Sequence, residues 1–245
     1  MFMRTVKMHV QLNDIDDFRT AYKEKIVSAF ADIKGCRSAF LMQSAHTPEE
    51  CVSLTFWKSE DDARAFEESG RYDELVSVLS PYFSESYELQ IRLTKDLKLE
   101  YSSANQPEIR RFEVASHHDS KDSGNTHVRM VSLKFKEGMV QEFKKHYEKD
   151  VIPVLRSIDG CKTAFLAAPA DNPHELISVT EWESEQAAQA YEHGGQFDKI
   201  LDSQKHFLSG LYGWGMTKQE SGGKVATSED VTVDHHQVLV GKTFR

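Results

Sequence analysis

Alternation and helical spacing divide the chain into short strands and amphipathic helices. Val6, Met8 and Val10 alternate with Lys7 and His9, the pattern of a strand with one apolar face. Ile15, Phe18, Tyr22, Ile26, Phe30 and Ile33 then step by three or four residues, which puts them on one side of a helix. Asn13 or Asp14 is expected to cap that helix, because a short side-chain oxygen accepts an otherwise orphan backbone N–H. Gly35 stops it. A strand is predicted at 36–43, a turn at Pro48 and a returning strand at 51–57. Ser59 with Asp62 three residues on is close to a capping box and opens a second helix. Gly70 breaks that helix before a short segment at 73–79. Tyr87, Leu89, Ile91 and Leu93 alternate as a last strand, completing the order β-α-β-β-α-β.

The whole pattern recurs 125 positions later. Gly35-Cys36-Arg37-Ser38-Ala39-Phe40-Leu41 returns as Gly160-Cys161-Lys162-Thr163-Ala164-Phe165-Leu166, and the offset holds without a gap over about 80 residues. Arg4 and Val6 match Arg129 and Val131, Tyr22 matches Tyr147, Trp57 matches Trp182, and Glu67 matches Glu192. Elsewhere like replaces like: Phe66 faces Tyr191 in the alignment, and Tyr72 faces Phe197. The chain is a tandem duplication. Pro153 falls inside the first helix of the second copy and is expected to kink it. The second copy's last strand is predicted at 212–216, with glycines on one of its faces.

We divide the chain into a first repeat at 1–96, a connector at 97–126, a second repeat at 127–220 and a tail at 221–245. The connector is turn-rich but contains a candidate strand at 109–115, and the tail contains another at 231–244. Each repeat is a ferredoxin-like unit, whose helices cover one face of a sheet and leave the other apolar face to be buried. Packing two such sheets together buries both faces, at about 25 cal/mol per Å² of apolar area. The fold class expected is therefore α+β, two ferredoxin-like repeats packed sheet to sheet as an intramolecular dimeric α/β barrel, with the two extra strands lacing the halves together. This makes the chain its own pseudo-dimer and leaves a further homodimer open.

Composition narrows the function classes. The 245 residues include 39 acidic and 30 basic side chains, a formal charge of −9 that argues against general nucleic-acid binding. No apolar run is long enough for a membrane span, and the start of the chain lacks a signal-peptide core. Three cysteines, Cys36, Cys51 and Cys161, make neither a disulfide framework nor a zinc spacing, so a reducing cytoplasm is the expected location. There is no Gly-rich nucleotide loop. Acidic runs such as Glu60-Asp61-Asp62 read as solvated helix faces.

The order of elements, the Cys-x-x-Ala-Phe-Leu strand opening, and 54–60 with its counterpart Val179-Thr180-Glu181-Trp182-Glu183-Ser184-Glu185 resemble the antibiotic biosynthesis monooxygenase domain. The resemblance covers 3–94 and 128–219. It implies the dimeric α/β barrel fold, and one of three activities: cofactor-free oxygenation of quinols and phenols, haem degradation, or none. The haem-degrading branch works through an Asn, a Trp and a haem-ligating His. At the matching positions stand Val6 and Val131, Phe66 and Tyr191, and Val76 and Leu201. Trp57 and Trp182 match a second Trp of that branch.

The resemblance puts a pocket between each sheet and its helices. In the first copy Phe66 and Trp57 would line it with apolar surface suited to an aromatic ligand. In the second copy Tyr191, Tyr147, Trp182 and Trp214 would hold the substrate. A cofactor-free oxygenase needs a base to form an electron-rich phenolate, and a histidine suits that task. His193, beside the Gly194-Gly195 break, is the first candidate, and His146 the second. In the first copy these positions hold Glu68 and Ala21. The histidine pairs His117-His118 and His235-His236 offer one side chain per strand face, so no metal is expected. The expected reaction is oxidation of a small phenolic or quinol-like aromatic by O2 without a cofactor. Haem binding without the usual ligand set and non-enzymatic ligand binding are the alternatives. The expected partner is a small aromatic molecule, with no nucleic acid and no membrane.

Overall fold

The computed structural model describes residues 1–84, 89–93, 99–103, 107–114, 126–208 and 231–244. In chain order the elements are β1 (Phe2–His9), α1 (Ile15–Ala21), a π-helical stretch (Tyr22–Val27) and α2 (Ser28–Ala31), then β2 (Cys36–Ser44), β3 (Glu50–Trp57), α3 (Glu60–Glu68) and α4 (Arg71–Leu79). There follow β4 (Leu89–Leu93), β5 (Leu99–Ser103) and β6 (Glu108–Val114). The second repeat supplies β7 (His127–Lys134), α5 (Val140–His146), a second π-helical stretch (Tyr147–Val151), α6 (Ile152–Arg156), β8 (Cys161–Pro169), β9 (Glu175–Trp182), α7 (Glu185–His193) and α8 (Gln196–Gln204). The tail ends in β10 (Val231–Thr243). No described helix is long and apolar enough to cross a membrane.

Two compact units are formed, Met1–Met3 with Arg111–Val238 and Arg4–Arg110 with Leu239–Arg245. In the unit that holds the second repeat, the strand order is β10-β7-β9-β8-β6. β7 and β9 are antiparallel, with Arg129 opposite Thr180 and Val131 opposite Ser178. β8 lies on the other side of β9, with Ala164 opposite Thr180. In the other unit, β1, β3 and β2 are neighbours in that order, and Ala39 is opposite Thr55.

The tail strand takes the place expected for the segment at 212–216. A ferredoxin-like sheet sets its last strand beside its first. Beside β7 that place belongs to β10, with Val231 opposite Leu133 and Gln237 opposite His127. The expected strand at 212–216 lies outside the described residues. In the first repeat, the predicted last strand does form at Leu89–Leu93, but it pairs with β5 in a separate two-stranded sheet. Among the described residues, an isolated bridge, Val10 to Phe83, starts the expected pairing along β1. Both extra strands expected in the connector and tail are present, as β6 and β10.

The first helix of each repeat contains a π-helical stretch, which the sequence reading missed. Phe18, Tyr22, Ile26 and Phe30 are all buried and are spaced by four. In an α-helix, steps of four drift by about 40° each, since 3.6 residues make a turn. A wider turn at Tyr22–Val27 keeps the row facing the sheet. Phe143, Tyr147, Val151 and Leu155 repeat the row around Tyr147–Val151. Pro153 is not its cause, because the first repeat has the same distortion with Ser28 at that place. Pro153 follows that stretch as the second residue of α6, inside a helix that continues through Val151 and Ile152 with helical angles. The cap expected from Asp14 makes no side-chain hydrogen bond. Ser59 does cap α3, accepting from Asp62 N at 3.2 Å while its hydroxyl donates to Asp62 Oδ2 at 2.8 Å. Ser184 accepts likewise from Ala187 N on α7.

Candidate functional site

Each repeat holds a small, partly open cavity between its sheet and its helices, and the two are built from the same positions. In the second repeat, β7 contributes Arg129, Val131 and Leu133, β9 contributes Ser178 and Thr180, and Tyr147 reaches in from the π-helical stretch. Tyr191 of α7 and Phe197, Leu201 and Gln204 of α8 close the wall. The first repeat uses Arg4, Val6, Met8, Ser53, Tyr22, Phe66, Tyr72, Val76 and Leu79 at the equivalent places. The cavities measure about 20 Å³ in the second repeat and about 30 Å³ in the first. That is room for one or two waters, since each needs about 10–15 Å³ of probe-occupied space.

An arginine lies on the apolar face of the first strand of each repeat. Strand parity puts Arg129 on the same side as Val131 and Leu133, so the guanidinium is carried inward. Arg129 is 2% exposed and Arg4 1%. Burial of a cation costs several kcal/mol unless it is paired. Arg129 Nε–H donates to Glu192 Oε1 on α7, and the guanidinium lies 4.3 Å from the Phe197 ring centroid. Arg4 Nε–H donates to Glu67 Oε1 at 2.7 Å and lies 4.4 Å from the Tyr72 ring. In both repeats the arginine's Nη2 is buried and makes no hydrogen bond among the described residues.

The second repeat adds polar groups that the first lacks. Gln204 replaces Leu79, and its buried Nε2 also has no hydrogen-bond partner among the described residues. His235 Nε2 of β10 stands 3.2 Å from Glu192 Oε1, and His235 Nδ1 is 2.9 Å from His127 Nε2. Burial pushes the Glu192 carboxyl upward, but the His235 hydrogen bond and the Arg129 charge outweigh it and hold the group below its ordinary range. Burial pushes the Tyr191 hydroxyl up to about 12 despite the Arg129 charge, so at neutral pH it is a donor. Burial also raises Tyr147, whose hydroxyl shares a 2.6 Å hydrogen bond with Ser178 Oγ. Tyr22 and Ser53 repeat that bond at 2.6 Å.

The described side chains singled out in the sequence fall into three groups. Tyr147 and Tyr191 line the second cavity, and Phe66 lines the first. Trp182 and Trp57 are fully buried behind them, stacked on Tyr191 and Phe66 with ring centroids 5.0 and 5.3 Å apart. Their indole N–H groups donate to Thr180 and Thr55, which fixes the rings in the core. His193 is exposed at the end of α7. His146 is half-buried, with Nδ1 3.0 Å from Asp150 Oδ2 and its ring against Phe207. Neither histidine is among the residues lining these two cavities. Trp214 and the pair His117-His118 lie outside the described residues. Sequence reasoning passed over Arg129, Glu192 and Gln204. Arg4/Arg129 and Glu67/Glu192 were visible as repeated pairs, and an arginine in phase with apolar strand positions was the available signal.

The positions that carry haem chemistry in the related branch all line the two cavities, as Val6, Phe66 and Val76 and as Val131, Tyr191 and Leu201. Neither described lining includes a histidine, so these residues do not match the haem-ligating set of that branch. Among the described residues, no group of three His, Cys, Asp or Glu side chains is arranged to hold a metal ion. All three cysteines are free thiols, with Cys51 buried and Cys36 and Cys161 partly so.

Comparison with known proteins agrees with this architecture. The sequence model of the family described as antibiotic biosynthesis monooxygenase matches residues 1–77 and again 126–203. A provisionally named monooxygenase from Lactobacillus acidophilus NCFM superposes with a TM-score of 0.68 at 9% identity, over 99% of this chain and 95% of that one. One from Fusobacterium nucleatum gives 0.64 at 10% identity, over 99% and 94%. An anthrone oxidase-like protein gives 0.59 at 10% identity, over 99% and 93%. No curated protein matches the chain. At these identities the structural likeness shows the fold alone, the α+β fold of two ferredoxin-like repeats in the dimeric α/β-barrel class. With two matches beginning 125 residues apart and together spanning more than half of the sequence, the chain belongs to the antibiotic biosynthesis monooxygenase family as a tandem member.

Proposed function

We propose that the chain is a cofactor-independent monooxygenase that oxidises a small phenolic or quinol-like aromatic with O2, and that the second repeat holds the substrate. The observation that carries this reading is the pair of unpartnered buried N–H donors, Arg129 Nη2 and Gln204 Nε2, in the lining of one cavity. Leaving such donors unsatisfied costs about 1–3 kcal/mol each. A ligand oxygen bearing negative charge would recover that cost. A guanidinium is the stronger of the two partners, because it favours the phenolate over the phenol.

The chemistry then needs nothing beyond substrate and oxygen. The phenolate passes one electron to O2, giving a phenoxyl radical and superoxide. These combine to a hydroperoxide at a ring carbon, which loses water to leave a carbonyl. One oxygen atom enters the product and the other leaves as water, and the substrate C–H and O–H bonds supply the electrons and protons. Tyr191, kept protonated by burial, can donate to the developing peroxide. His193 and His146 line neither cavity, and this reading assigns them no contact with the substrate. The phenolic proton leaves to solvent as the substrate enters.

A ring does not fit in about 20 Å³, so substrate entry displaces α8, which contributes Phe197, Ile200, Leu201 and Gln204 to the wall. Gly194 packs closely against the Ala190 carbonyl of α7, and Gly195, at φ +75° in open space, immediately precedes α8, so the displacement this reading requires turns at Gly195. The anthrone oxidase-like neighbour suggests a polycyclic phenol-ketone as the first substrate to try. The test is oxygen uptake and anthraquinone formation with anthrone. Uptake above the protein-free rate is expected, with kcat/KM about tenfold lower in Gln204→Leu, which copies the first repeat. Rates no higher than without protein, or unchanged in Gln204→Leu, overturn the proposal.

A further inference from the structure

The tail supports the second cavity with a residue that the duplicated elements do not contain. β10 runs antiparallel to β7 with His235 opposite Arg129 and Gln237 opposite His127. His235 is 7% exposed and meets Glu192 Oε1 with one ring nitrogen and His127 Nε2 with the other. One proton arrangement satisfies this chain with neutral imidazoles. His127 Nε2–H donates to His235 Nδ1, and His235 Nε2–H and Arg129 Nε–H both donate to Glu192 Oε1. Among the described contacts, the charged and titratable groups facing His235 are Glu192 on α7 and Arg129 and His127 on β7. Its strand neighbours Asp234 and His236 point to the opposite face.

The connector strand lacks this feature. Val114 N–H donates to Met1 O as Val238 N–H donates to Thr126 O, so the residue three places before each valine is comparable. That residue is Arg111 on β6, which is exposed, and the position matching His127 holds Phe2.

We infer that His235 is a positioning residue for the second cavity: by pinning Glu192 it keeps Arg129 Nη2 available to a bound anion. A carboxylate beside an arginine prefers to take Nε–H and Nη2–H together, in a two-pronged pair. Glu192 in that geometry would consume the donor that the cavity offers. A second N–H on Oε1 holds the carboxylate in its one-pronged position instead.

The inference rests on the proposed anion site only for its ligand readout. The test measures 2-naphthoate affinity by calorimetry and the Arg129 Nε–H resonance by ¹H–¹⁵N NMR, in wild type, His235→Phe, His235→Asn and His235→Gln. Loss of the donor in Phe, and of its reach in Asn, is expected to weaken 2-naphthoate about tenfold and to move the Arg129 resonance. Gln, which keeps an N–H able to reach Glu192, should restore both. An unmoved Arg129 resonance in whichever of the Phe and Asn variants folds overturns the inference. So does a Gln variant that behaves like them. If wild type does not bind 2-naphthoate, the anion site fails, and the role of His235 is still decided by the resonance.

Discussion

Arg129 and Glu192 form an ion pair enclosed on all sides, with side chains 3% and 4% exposed, and Arg4 and Glu67 repeat it 125 residues earlier with Glu67 at 16%. An enclosed pair is held at a large desolvation cost, so removing one partner strands the other charge. Glu192→Gln is expected to lower the unfolding free energy by about 3 kcal/mol, and Glu67→Gln by less because water can reach Glu67. Urea denaturation of the two variants measures the difference, and equal losses would contradict the contrast between the repeats.

The acid limb of stability follows from the same carboxyl. Its pKa is depressed in the folded state, so its contribution is present above the unfolded value of about 4.3 and is lost as pH falls through the folded value. Wild type should therefore lose stability from about pH 5 downward, and Glu192→Gln should show a shallower loss over the same range. Thermal unfolding between pH 7 and pH 3 checks this.

Gly160 has φ +81°, and a Cβ there would lie 2.6 Å from Ala187 Cβ on α7. Gly160→Ala combines a left-handed backbone with a clash and should cost about 2–3 kcal/mol. Gly195→Ala, at φ +75° in open space, should cost only about 1 kcal/mol. The two urea midpoints separate the contributions of strain and contact.

Burial pushes the Cys161 thiol up to about 11 and Cys36 and Cys51 up to about 12. The thiolate is the reactive form, so iodoacetamide at pH 8 should modify all three at least about tenfold more slowly in the folded protein than in urea. Peptide mass spectrometry reads each site, and rapid labelling of Cys36 or Cys161 in the folded protein would show a reactive thiol.

Substrate entry by displacement of α8 predicts a local signature. Binding of anthrone should change amide hydrogen exchange across 196–204 more than across the equivalent α4 of the first repeat. Equal changes in both would mean that the cavities respond alike.

Much of the fold was legible because its determinants are periodic. Val6, Met8 and Val10, the row from Phe18 to Phe30, and Ser59 with Asp62 gave strand, helix and cap from spacing alone, and the offset of 125 showed the β-α-β-β-α core twice. Strand partners were less legible, because Leu89–Leu93 has a strand pattern whichever neighbour it takes. The π-helical stretches were hidden in rows of four that also fit an α-helix. The site was read by residue type, which favoured exposed His193 over enclosed Arg129. The histidine that matters to Glu192, His235, sits 43 residues further along the chain and meets it only through the pairing of β10 with β7.

Incubation under ¹⁸O2 in unlabelled water tests the central claim most directly, because it follows the oxygen atom itself. With anthrone, the account predicts a ketone product that carries one heavy oxygen from wild type and from a Leu79→Ala variant, and a sharply reduced yield of it from Gln204→Leu. A product oxygen drawn from water, or an undiminished yield from Gln204→Leu, would contradict oxidation in the second cavity.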